Sequence, residues 1–268
     1  MPRLGRRAAR RRTAQIIGGV AILLFVLAAL SAGLYFRAQQ TPGVDPVTLC
    51  PAGGPIGHYV LLVDKTDPLT FTQKQAFTEL LHEVIERRTP EGYLLSVFVL
   101  GEDFKETASP VIELCNPGTG DDKSEYTANR HKLRRQYEER FLQPLAKQTE
   151  TLVSTAPANL SPIFEMLQLV SINAFRRHDV KGERKLIIVS DMLHNTAPFT
   201  MYRGPVDYES FANTDYGRKV ALQMPRVKVE LNVLVNNPQR QTRRQTTFWE
   251  AYFEAAGARV VVIRPLEG

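Results

Sequence analysis

Cysteine and histidine are scarce in these 268 residues, and net charge is nearly absent outside one short tail. The two cysteines, Cys50 and Cys115, form neither a CxxC pair nor a Cys/His cluster, which excludes a zinc site of the usual spacing. The five histidines (His58, His82, His131, His178 and His194) include no spaced metal pair and none beside a nucleophilic motif. No nucleophile–base pair stands out, which argues against an enzyme. Nor is there an internal repeat. The formal charge of +6 comes from Arg3, Arg6, Arg7, Arg10, Arg11 and Arg12; without them 28 basic residues face 28 acidic ones. The pI of 9.4 therefore belongs to a tail, and no nucleic-acid partner is expected.

Directly after the arginines comes a run of 21 residues without a charge, Ile16 to Phe36. At about 1.5 Å per residue a helix of this length spans a hydrocarbon core of roughly 30 Å. A buried core helix would need a polar stripe to face water, and none exists. A cleaved signal peptide has a shorter apolar region, although the small residues from Ala29 to Gly33 leave cleavage open. The reading adopted is an uncleaved signal anchor: a basic cytoplasmic tail over 1–13, a transmembrane helix over 14–37, and an extracytoplasmic remainder, periplasmic in a Gram-negative cell. On that side an even cysteine count favours a Cys50–Cys115 disulfide over two buried thiols. Residues 38–57 hold four prolines and four glycines and read as a linker to a domain over 58–268.

From His58 onward strands and helices alternate. "HYVLLV", "YLLSVFVL", "RKLIIVS", "VKVELNVLV" and "ARVVVI" are apolar strands, and "SPVIEL" is a short edge strand with a proline near its start. Helical spacing marks Thr72 to Arg88, a long charged segment from Glu125 to Val153, Ser161 to Phe175, a weaker stretch over 206–223, and a last helix closed by Gly257. In the charged segment, Arg130 to Arg140 reads as a solvated face. The alternation predicts a layered α/β fold with a mostly parallel sheet.

The chemistry gathers after the first strand. "HYVLLVDKTDPLT" ends in Asp64, Thr66, Asp67, Pro68 and Thr70, and the fourth strand ends in Ser190-Asp191. Asp-x-Thr after strand one and Ser-Asp after a central strand resemble the von Willebrand factor A family, over about residues 58–264. The resemblance implies a Rossmann-like three-layer fold with strand order 3-2-1-4-5-6, the short third strand antiparallel, and helices on both faces. It also implies a metal-ion-dependent adhesion site at the point where the strand order reverses. Asp64 and Thr66 match the first motif, and Asp191 matches the last acid. Ser161 stands for the second-loop threonine. Pro68 occupies the place of the second hydroxyl and has none, so Asp67 and Thr70 are candidate substitutes.

The implied cofactor is therefore Mg²⁺ or none. A hard cation takes about six oxygens and often keeps several as water. The competing reading makes Asp67, Thr70 and Ser161 helix caps without metal. A phosphatase of the haloacid-dehalogenase type would need a second aspartate two residues after the first, where Thr66 stands. The long loop after Asp191 carries Phe199, Met201 and Tyr202, candidate contacts for a protein partner. His194 is read as a surface loop residue. The expectation is a membrane-anchored, non-enzymatic binding module; the alternatives are a metal-free subunit of an envelope assembly and a metal-dependent hydrolase.

Overall fold

A computed structural model describes residues 4–38, 44–121, 130–154, 158–204 and 207–266. It divides into two units, Met1–Gly43 and Val44–Gly268. The described part of the first unit is one helix, α1 (Leu4–Ala38), and its segment Ile17–Tyr35 is long and apolar enough to cross a membrane. This fits a membrane anchor.

The second unit carries six strands: β1 (His58–Asp64), β2 (Leu94–Leu100), β3 (Ile112–Cys115), β4 (Arg184–Ser190), β5 (Val227–Leu234) and β6 (Arg259–Leu266). They form one sheet in the order β3-β2-β1-β4-β5-β6. All neighbours are parallel except β2 and β3. This is the fold class that the strand–helix alternation and the family resemblance imply. Every residue of β1 is buried because both sheet faces are covered. Side chains alternate between faces with a period of two. Val60, Leu62, Phe98, Leu186 and Ile188 pack in one core with Phe164 and Trp249. Tyr59, Leu61, Val63, Leu95 and Ile187 pack in the other with Phe77 and Phe141.

The helices of that second core are α2 (Phe71–His82), which continues as a π-helical segment to Arg88, and the chain of α3 (Arg130–Gln136) and α4 (Gln143–Leu152) joined by a second such segment. Residues 125–129 of the expected charged helix lie outside the described residues. On the other face lie α5 (Ile163–Val170), extended to Arg176, then α6 (Tyr208–Ala212), α7 (Asp215–Lys219) and α8 (Arg243–Ala255). The single weak helix expected over 206–223 is two short ones. The second starts afresh at Thr214, whose hydroxyl accepts from the Gly217 amide and caps it.

The expected linker ends earlier than its composition suggested. Val44 pairs with Pro51, Asp45 accepts from the Thr48 amide at 2.7 Å, and Leu49 is buried. Cys50 is bonded to Cys115 at the end of the edge strand β3, as expected. Residues 44–57 therefore belong to the folded unit, which begins before His58.

Candidate functional site

The parallel register brings the ends of β1 and β4 side by side: Val63 lies opposite Val189, so Asp64 and Ser190 are the next residues on adjacent strands. This is the reversal point of the strand order, since β2 lies on one side of β1 and β4 on the other. Asp64 is 3% exposed and Asp191 1% exposed.

Asp64 is held by donors on both oxygens. Its Oδ1 accepts from the Thr66 amide at 2.9 Å and the Thr66 hydroxyl at 2.6 Å. Its Oδ2 accepts from Ser190 at 2.7 Å and from Ser161 at 3.4 Å. The Asp191 Oδ1 accepts from the Leu193 amide at 2.8 Å, while Oδ2 is buried and has no hydrogen-bond partner. Burial raises the Asp64 carboxyl above its ordinary range, against the lowering effect of these donors. Asp191 rises well above it, first by burial and then by the charges of Asp64 and Asp67. Three carboxylates thus lie close enough to act on one another's charge, and no ion pair to any of them is seen among the described residues.

Backbone bonds fix the loops that deliver these groups. Ser161 and Asn195 exchange two bonds, at 2.8 and 3.0 Å, tying the second loop to the loop after β4. The Ala158 amide donates to the Thr66 carbonyl at 2.9 Å. After Asp191 the chain turns through Met192, whose φ of 58° lies in the left-handed region that side chains avoid. That turn is pinned from α8 and the loop before it. Gln241 donates to the Asp191 carbonyl at 3.0 Å, Gln245 to the Met192 carbonyl at 2.8 Å, and the Trp249 indole to the same carbonyl at 2.9 Å.

The structure separates the cap residues from the site residues. Thr70 caps α2: its hydroxyl accepts from the Gln73 amide, and the Gln73 side chain accepts from the Thr70 amide. It is not a substitute ligand. Ser161 is no cap; Pro162 precedes α5 there without a side-chain cap bond, and the serine hydroxyl turns to Asp64. Thr66 and Ser161 hydrogen-bond to Asp64, and Asp191 feels the charges of Asp64 and Asp67, but among the described residues no group of three or more His, Cys, Asp or Glu side chains is placed to hold a metal ion. Ser190 joins the donors to Asp64, although the sequence marks it only as part of the strand-end motif. Its position one residue before Asp191 at a buried strand end is the signal that could have placed it.

The aromatic loop turns inward. Met201 is buried, and Phe199, partly buried, packs against the core on Phe164, Phe211 and Tyr216. Met201 is thereby withdrawn from the surface, while Phe199 keeps part of its ring exposed. Tyr202 stays half-buried at the rim, where burial and then the carboxylates of Asp191, Asp67 and Asp64 push its phenol up. His194 is fully buried rather than on the surface. Its ring lies 4.5 Å from that of Phe164 at a tilt of 44°, its Nε2 lies 2.9 Å from the Thr196 hydroxyl, and burial lowers its pKa to about 3. At the rim, Phe71 is 82% exposed and Leu160 39% exposed, apolar surface that periodicity alone assigned to no role.

No family model and no curated protein matches the chain. Among solved structures it is similar to the SpRpn10 VWA domain, at a TM-score of 0.40 and 10% identity over 78% of this chain and 88% of that one. It is also similar to an aerotolerance-related membrane protein from Bacteroides fragilis NCTC 9343, at a TM-score of 0.35 and 10% identity over 78% and 90%. Likenesses this distant decide nothing about the site. The strand order and the single antiparallel edge strand are those of a von Willebrand A-like fold.

Proposed function

We propose that the chain is a single-pass membrane-anchored module whose extracytoplasmic domain binds another protein at the carboxyl edge of its sheet, with a divalent cation such as Mg²⁺ held there. In this reading the basic tail is cytoplasmic and the cystine-bearing domain faces an oxidising compartment. One observation carries the cation: Asp191 has a buried oxygen without a donor, beside Asp64 and Asp67, with no cationic side chain among the described residues to offset them. Two buried carboxylates and nearby hydroxyls are the donor set a hard cation requires. Asp64, Thr66, Asp67, Ser161, Ser190 and Asp191 would hold it. The cation would offset carboxylate repulsion and leave part of its coordination open at the domain surface.

A binding role is favoured over catalysis by where the basic groups lie. The nearest histidine, His194, points into the aromatic core. A Ser96–His58 contact of 2.8 Å exists, but both residues are fully buried at the other end of the sheet, and the Ser96 hydroxyl donates to Glu113. A second reading, a metal-free structural subunit, draws on Pro68 and on the four donors that already satisfy Asp64.

Photo-crosslinking in the native membrane tests the binding edge. A photoreactive residue at Leu160 or Arg203 should capture a partner that one at Lys181, at the opposite end, does not. Asp191→Asn should remove the capture. Equal capture from both ends, or capture indifferent to Asp191→Asn, would contradict the reading.

A further inference from the structure

Beside the carboxylate cluster lies a second feature of opposite charge. A small cavity of about 40 Å³ is bottomed by the buried Leu193, Met201 and Phe248, and Arg240, Thr242 and Arg244 line its mouth. It adjoins a broader groove of about 680 Å³ along α8, where Arg243, Arg244 and Phe248 face Tyr208, Asp207 and Glu209. The small cavity reaches the site. Gln245, in the cavity wall, donates to the Asp191 carbonyl at 3.2 Å, and Arg240 lies over the Tyr202 ring and donates to the Tyr202 carbonyl.

The charge here is unusual for this chain. Arg203, Arg240, Arg243 and Arg244 stand against Asp207 and Glu209, four positive to two negative, in a protein that is formally neutral outside its first twelve residues. Among the described residues Arg203 and Arg243 make no hydrogen bond or ion pair, and the side chain of Arg244 meets only the field of Asp207. Arg243 and Arg244 occupy the first turn of α8, which contains no acid. The partial positive charge of a helix start makes that placement unfavourable until an anion arrives. The Thr242 hydroxyl, which would ordinarily cap the helix, makes no cap bond.

We propose that this groove binds an acidic segment of the partner protein, its carboxylates on Arg240, Arg243 and Arg244 and an apolar side chain against Tyr208 and Ala251. The inference rests on the reading of the carboxyl edge as the binding edge and names the chemistry of what binds there. A peptide fits better than a lipid surface or a nucleic-acid backbone. The groove has partly exposed apolar surface at Tyr208 and Ala251, and Asp207 and Glu209 on one wall repel any uniformly anionic surface. A peptide can place its carboxylates against the arginines alone.

The test uses the full chain in neutral detergent and a short fluorescein-labelled peptide alternating glutamate with leucine. Every sample carries Arg3→Gln, Arg6→Gln, Arg7→Gln, Arg10→Gln, Arg11→Gln and Arg12→Gln, so the basic tail cannot capture the probe. Saturable binding by fluorescence anisotropy is expected, weakened by salt. Arg243→Glu with Arg244→Glu should weaken it roughly tenfold or more, and Arg243→Lys with Arg244→Lys far less. Both side chains are exposed and acids suit a helix start, so thermal melts of the variants should match or exceed the parent. No binding, equal binding of a lysine–leucine peptide, or indifference to the charge reversal would overturn the proposal. So would phosphatidylserine vesicles that displace the peptide through the same arginines. Peptide binding that survives while magnesium leaves the melting temperature unmoved would remove the cation and keep the groove; a magnesium-dependent melt without peptide binding would do the reverse.

Discussion

Two buried acids on neighbouring strands of this sheet have opposite fates. Glu230, in the middle of β5, is 2% exposed, and Arg88 donates to both its oxygens, one bond being 3.0 Å; Arg264 lies 3.9 Å away. Burial alone would raise its pKa, but the Arg88 bonds and charge outweigh it and bring the carboxyl below its ordinary value. Asp191, just past the end of β4, is as deeply buried and has no cation, and its carboxyl rises. The amino ends of the strands follow Glu230. There burial of Glu113 is outweighed by His178 and Ser96, and Glu183 is held low by Lys228. Buried acids in this protein are structural where a basic side chain meets them. At the carboxyl edge none does among the described residues, and on that difference rests the proposal of an external cation there.

The comparison is broken most forcefully at Arg88. Arg88→Ala leaves Glu230 buried beside a single distant guanidinium and should cost about 3–5 kcal/mol in urea denaturation. A loss under about 1 kcal/mol would show that the pair is as dispensable as a surface bridge. Replacing the cystine by Cys50→Ser with Cys115→Ser should cost somewhat less, about 2–4 kcal/mol, since the bond closes a loop of 65 residues.

Acid should act through His58. Burial, then the neighbouring His178, lowers its pKa from 6.5 to about 3. The unfolded chain therefore binds a proton that the folded one refuses, and stability falls as pH drops from about 6.5 toward 3, by on the order of 1.4 kcal/mol per pH unit. His58→Gln should flatten this slope between about pH 7 and about pH 5, leaving the share due to His194, which is depressed in the same way. An unchanged slope would mean that His58 is protonated in the folded domain. The smallest effect belongs to the carboxylates: without metal, Asp191→Asn should stabilise by about 1 kcal/mol, because it removes one of three clustered charges. Destabilisation there would align Asp191 with Glu230 and erase the contrast.

Much of this was legible in the sequence, for physical reasons. Strands buried on both faces read as unbroken apolar runs, so β1, β4 and β5 stand out. Alternation of strands and helices then limits the topology, and with it the place of the residues at strand ends. Asp64 and Asp191 could be placed because a strand end has a fixed place in such a sheet, while Thr66 and Ser161 follow only from the resemblance to the von Willebrand factor A family. Thr70 could also have been recognised, since Thr70 and Gln73 have the spacing of a capping box. The Arg88–Glu230 pair could not, because 142 residues separate partners that only the packing of α2 on the sheet unites. Phe199 and Met201 look like surface contacts until the chain lays their loop over the Phe164 cluster. Leu49 marks the opposite failure: one buried side chain and one cystine bring a stretch of linker composition into the domain.

The central claim is that the carboxyl edge lacks a cation that the rest of the molecule supplies for itself. Thermal melting of the purified chain in chelator and in millimolar magnesium tests it directly. Magnesium should raise the melting temperature by several degrees, as binding at a hundredfold excess over Kd stabilises by about 2.7 kcal/mol. Asp191→Asn and Asp64→Ala should abolish the rise, and Pro68→Ser, which restores the absent hydroxyl, should reach it at lower magnesium. Identical melts in chelator and magnesium for the unaltered chain would contradict the account and leave Asp64 and Asp191 as parts of a metal-free scaffold.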